Sequence, residues 1–157
     1  MMKVILFLIS AIFILNGCAM SPAKHTKVAS SSVAGWYNKS DLNSVLILTN
    51  DIPMNEKEKN DLIIGLRQAL TNKNIDNTFY MDSATIMNHT QSLKNKIQEV
   101  NPKYILEVSQ YSSYSLLWRL VNVEKDSEAW KGFTPFYVTG TGMAEAIIKD
   151  LTEKGVL

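Results

Sequence analysis

Asn43-Ser44-Val45-Leu46-Ile47-Leu48-Thr49 is the stretch on which the fold turns. Its run of consecutive apolar residues leaves no polar face, so a strand here is buried on both sides, as a central strand of a helix-covered sheet is. Downstream of Pro53, Asn55 can cap a helix, with Glu58 in the capping-box position. Leu62, Leu66, Ala69 and Leu70 recur on one helical face, with Ile63 beside them, until Asn72-Lys73-Asn74 ends the pattern. Asp76 to Met81 reads as a more polar, edge-type strand. Asp82-Ser83 can start a second helix marked by Ile86, Leu93, Ile97 and Val100. Asn101-Pro102 closes it, because the residue before proline disfavours helix.

Tyr104 to Val108 is the next strand. Leu116–Val123 and Glu128–Phe133 form an antiparallel hairpin around Lys125-Asp126-Ser127. Ala144, Ile147, Ile148 and Leu151 mark a last helix, with Gly155 as its C′ residue and Val156 placed to touch Leu151. The order is βαβαβββα. It predicts one α/β (α+β) domain of two or three layers with a mixed sheet, parallel in its first half and a meander in its second.

Upstream, Met1-Met2-Lys3 precedes the apolar run Val4–Leu15. A run of 12 residues (15 − 4 + 1) is too short for a transmembrane helix, which needs roughly 18 or more, and has the length of a signal-peptide core. It ends in Leu15-Asn16-Gly17-Cys18, which resembles a bacterial lipobox, with Asn16 a less usual occupant. The resemblance implies cleavage after Gly17 and lipidation of Cys18, the only cysteine in the chain. Ala19 in place of Asp implies sorting to the outer membrane, facing the periplasm. The expected organisation is signal peptide 1–17, lipidated cysteine and flexible tether 18–42, and folded domain 43–157. Within the tether, Trp36-Tyr37 is expected to dock on the domain; a membrane or partner contact is the alternative.

The mature chain would have 140 residues (157 − 17) and, losing only Lys3 of the 16 basic residues, would balance 15 basic against 15 acidic side chains. Bulk electrostatics therefore give no reason to expect a nucleic-acid partner. One cysteine excludes a disulfide framework and any cysteine-rich zinc module.

The domain resembles the N-terminal α/β domain of TolB, an architecture related to that of peptidoglycan-synthase-activating and curli-secretion lipoproteins. The residues that carry the resemblance are Val45–Thr49, Asn101-Pro102-Lys103-Tyr104-Ile105-Leu106, the Trp118–Val123/Ala129–Phe133 hairpin and the terminal helix Met143–Leu157. It implies a protein-binding, non-enzymatic role in the envelope.

Little in the sequence points to catalysis. GxSxG, HExxH, GxGxxG, CxxC and P-loop patterns are absent. His25 and His89 have no metal-ligand partner at a useful spacing, and no cofactor or metal is expected. Ser112 and Ser113 read as a turn or bulge. Glu56/Glu58 suit a helix N-terminus, and Asp126/Glu128 flank a turn. Thr139-Gly140-Thr141-Gly142 reads as a helix entry with Thr141 as cap rather than an anion site. The aromatic residues of the meander remain. The candidate partner surface is Tyr111, Tyr114, Trp118, Arg119, Trp130, Phe136 and Tyr137, because tyrosine and tryptophan are favoured at interfaces. The expected function is that of a lipid-anchored accessory lipoprotein binding a protein partner in envelope assembly, secretion or cell-wall synthesis. A small-ligand or glycan binder is the alternative, and an envelope hydrolase the third reading.

Overall fold

The computed structural model describes residues 27–49, 52–81, 89–135 and 139–157. These form a mixed α/β fold. Its elements are β1 (Ser30–Val33), a short 3-10 turn (Lys39–Asp41), β2 (Ser44–Thr49), α1 (Glu56–Thr71), β3 (Asp76–Met81), α2 (His89–Val100), β4 (Tyr104–Ser112), β5 (Ser115–Asn122), β6 (Ser127–Pro135) and α3 (Gly140–Glu153). The sheet order is β1-β6-β5-β4-β2-β3.

β2 lies between β3 and β4, parallel to both, and Leu46 and Ile47 are fully buried, as the unbroken apolar run requires. The two crossovers that flank it move in opposite directions across the sheet, so right-handedness places their helices on opposite faces. α1 packs Leu62, Leu66 and Leu70 into the same core as Val45 and Ile47. α2 lies on the other face, where the Tyr80 hydroxyl, in register with Leu48, hydrogen-bonds Ser92 at 2.7 Å. α3 shares the α1 face, and a Cβ on Gly65 would come within 2.8 Å of the Ala144 Cβ, so glycine is what lets these helices cross closely. The fold thus has three layers around β2 and two layers over β5 and β6.

Local signals account for the helix ends. Asn55 caps α1 through its side chain, which accepts the Glu58 amide at 2.9 Å. α3 ends in a Schellman motif, with Gly155 at φ 72, the Val156 amide on the Leu151 carbonyl and the Gly155 amide on the Thr152 carbonyl. Its N-cap is Thr139, not Thr141 as expected, because the Thr139 hydroxyl accepts the Gly142 amide. Asp126, at φ 45, turns the β5–β6 hairpin where the turn residues predicted it.

The folded part begins before residue 43. Ser30–Val33 pairs antiparallel with Trp130–Phe133 as an edge strand. A four-residue strand with three serines carries no hydrophobic pattern, which is why composition reads it as tether. The Trp36-Tyr37 pair divides. Tyr37 packs edge-on against Tyr104, with ring centroids 5.9 Å apart, and donates to the Val156 carbonyl at 2.9 Å. Its burial pushes the phenol's pKa up, with Tyr104 and Asp41 adding to the effect. Trp36 is 38% exposed beneath the Lys125 ammonium. The expected start of the second helix at Asp82-Ser83 and its mark Ile86 lie outside the described residues, as do Cys18 and the signal segment.

Candidate functional site

Strands β4, β5 and β6 form one meander whose side chains alternate between two environments. Toward α1 and α3 point Tyr104, Leu106 and Val108, then Leu116, Trp118 and Leu120, all 0–2% exposed. A register shift opposite Leu120/Val121 lets adjacent Ala129 and Trp130 both be buried. Away from those helices lie Ile105, Glu107 and Ser109, Leu117, Arg119 and Val121, and Lys131 and Phe133, all of intermediate exposure. Among the described residues no helix covers this side of β5 and β6.

The register assembles the exposed side into rows. Glu107, Arg119, Lys131 and Ser32 lie in line across four strands. The next row is Ser109, Leu117, Phe133 and Ser30. In the first row Arg119 Nη2 donates to Glu107 Oε2 at 2.6 Å, with the two side chains 39% and 17% exposed. Arg119 Nε is buried and has no hydrogen-bond partner. Toward the β4–β5 turn, Tyr111 meets Phe133 edge-on at 4.9 Å. Tyr111 and Tyr114 are 64% and 79% exposed.

The candidate surface is therefore corrected. Trp118 and Trp130 belong to the core. Trp118 Nε1 donates to Thr134 Oγ1 at 2.8 Å, and Trp130 Nε1 to Asp150 Oδ2 at 3.0 Å. Strand alternation places both toward α3, where the internal hydroxyl and carboxylate satisfy their indole N–H groups. Tyr111, Tyr114 and Arg119 are at the surface, while Phe136 and Tyr137 lie outside the described residues. The half-buried Leu117, Val121, Lys131 and Phe133 complete the face. Their signal was present as period-two alternation, but aromatic content alone does not reveal which phase faces outward.

Asp150 was also missed. It accepts Ser31 Oγ at 2.9 Å on one oxygen and the Trp130 indole on the other, so it ties edge strand β1 and the core to α3. With Lys27, Lys149 and Glu153 it lines a cleft of about 150 Å³. Two carboxylates in a cleft are the arrangement a hydrolase needs. Here both Asp150 oxygens are occupied, and Glu153 is 64% exposed at 3.8 Å from Lys149. The volume also falls below the roughly 300 Å³ at which small-molecule pockets begin. Structural bracing accounts for the cluster. Two open clefts, of about 440 Å³ beside Lys39, Lys73 and Ile75 and about 330 Å³ beside Ile64, Arg67 and Gln68, have no Asp or Glu among the described residues that line them. Among the described residues no three His, Cys, Asp or Glu side chains converge as a metal set. Nor is any described helix long and apolar enough to cross a membrane.

No family model matches the chain, and no curated protein matches it. Among solved structures it is similar to a dodecamer of a leucine-to-methionine variant of PelC from Paraburkholderia phytofirmans, with 12% identity, TM-score 0.47, and coverage of 82% of this chain and 96% of that one. A second PelC dodecamer from the same organism gives 13% identity, TM-score 0.43, and coverage of 85% and 95%. At these values the fold and function rest on this chain's own residues.

Proposed function

We propose that this chain is a lipid-anchored, non-enzymatic accessory lipoprotein of the bacterial envelope. In this reading it sits at the outer membrane facing the periplasm and binds a protein partner in envelope assembly, secretion or cell-wall synthesis. The Leu15-Asn16-Gly17-Cys18 lipobox supports the anchor, and the TolB-like order of elements supports the partner-binding class. The observation that carries the partner reading is the side of β5 and β6 that no described helix covers. It presents Leu117, Val121 and Phe133 around the Glu107–Arg119 ion pair. Half-exposed apolar side chains beside an arginine are features of interaction sites, where arginine and aromatic residues are enriched.

The test places a photo-crosslinking residue at Leu117 or Lys131 in cells, with Ile64 on the outer side of α1 as control. The reading expects one and the same envelope protein captured from both sheet positions, not from Ile64, and lost when Arg119→Ala is added. Equal capture from all three positions would overturn it. No capture, combined with tight binding of a small ligand or glycan by the purified chain, would put the alternative first.

A further inference from the structure

The strand nearest the anchor is also the most weakly held in the sheet. No residue from Lys27 to Asp41 is buried, and the first buried side chain among the described residues is Leu42. β1 pairs with only four of the nine residues of β6. Its serines are poor strand formers, and Ser30 and Ser32 are exposed. What holds it is a short set of contacts. Ser31 donates to Asp150, the Ala29 and Ala34 amides donate to the Phe133 and Ala129 carbonyls, and Val28 and Val33 rest half-buried on the core. Beyond it, Tyr37 is a firmer pin, seated on Tyr104 and bonded to the Val156 carbonyl.

β6 does not depend on β1 for its place. It is paired along its whole length with β5, and Trp130 keeps its own hydrogen bond to Asp150. Segments with few buried contacts open at a lower free energy than the domain does.

We propose that β1 is a releasable strap that gives the anchored domain two reaches. The inference rests on the lipid-anchor reading of Cys18. With β1 docked, nine residue-to-residue steps (27 − 18) lead from Cys18 to Lys27, a span of at most about 30 Å. With β1 released as far as the Tyr37 pin, nineteen such steps (37 − 18) lead from the lipidated residue to the domain, a span of at most about 65 Å. The strap lies on the only covalent path from lipid to domain, so tension on the anchor reaches β1 before any other element of the sheet. Docked, the domain stays near the bilayer. Released, it reaches a partner roughly twice as far away and bares the edge of β6.

The test is amide hydrogen exchange on the full lipidated chain. The Ala29 and Ala34 amides, which donate to β6 carbonyls, should exchange at least about a hundredfold faster than the Leu116–Leu120 amides of β5. A disulfide formed by Ser32→Cys with Lys131→Cys, a directly opposed pair in the register, should bring Ala34 to the β5 rate and reduce partner capture in cells, both reversed by reductant. If the Ala29 and Ala34 amides exchange in step with β5 without the disulfide, β1 belongs to the same cooperative unit and the strap is overturned. Ser31→Ala provides a variant with little risk to folding; it should speed Ala34 exchange and leave β5 unchanged, and no change at Ala34 would count against the strap. Palmitate labelling that is equal in wild type and Cys18→Ser would overturn the anchor reading alone, since the exchange result does not depend on the lipid.

Discussion

Trp118 and Arg119 are neighbours in β5, yet one is sealed in the core and the other lies 39% exposed on the opposite side of the same strand. The contrast extends across the meander. Toward the helices, every second residue from Tyr104 to Val108 and from Leu116 to Asn122 is buried, and the polar atoms that enter are paired, as the Trp118–Thr134 and Trp130–Asp150 bonds show. On the other side the same strands carry leucine, valine and phenylalanine at half exposure, with an arginine Nε left unpaired. The first surface is finished by the fold itself. The second keeps apolar area in water, which a partner would relieve.

The sharpest way to break the comparison is to remove the core tryptophan. Trp118→Ala deletes a fully buried indole and strands the Thr134 hydroxyl, itself 0% exposed. Loss of about 3–5 kcal/mol is expected, read as a fall in the urea midpoint. A loss below about 1 kcal/mol would mean that the helix-side core is not where stability resides. The next effect belongs to the brace. Asp150→Ala leaves a buried indole N–H without its acceptor and frees Ser31, so about 2 kcal/mol should be lost. Hydrogen exchange should show β1 loosening first. Asp150→Asn, which keeps an acceptor oxygen for one of the two donors, should fall between wild type and Asp150→Ala.

These two residues also show how far the sequence could be read. The apolar run of β2, the caps at Asn55 and Gly155 and the hairpin turn at Asp126 are local signals, and each produced the element it predicted. β1 was not legible, because its strand character comes from pairing with a distant β6 (Ser32 to Lys131 spans 131 − 32 = 99 positions), not from its own side chains. The N-cap moved from Thr141 to Thr139: both threonines precede a glycine, and it is the Thr139 hydroxyl that accepts a helix amide, that of Gly142. The surface was half legible. Alternation in Leu116–Val123 announces two faces, but either tryptophan could have pointed to solvent until α3 was placed over one side. Asp150 carries no signal in its own stretch of sequence, since its partners Ser31 and Trp130 lie on two distant strands.

The smallest effect on stability should come from Arg119→Ala, and this is where the comparison is sharpened. The Arg119–Glu107 contact is short at 2.6 Å, but the arginine is 39% exposed, so solvent screens the pair. Partly exposed ion pairs contribute about 0–1 kcal/mol, and the change also removes the unpaired Nε. The urea midpoint should therefore move by no more than about 1 kcal/mol, against several for the tryptophan one residue earlier. Binding should respond the other way. Loss of the guanidinium takes the central cation from a face whose apolar residues remain, so crosslinking from Leu117 should fall while the fold stands. An Arg119→Ala chain as unstable as Trp118→Ala would show that both sides of β5 serve the core. Undiminished capture in a stable Arg119→Ala chain would move the partner site off this face.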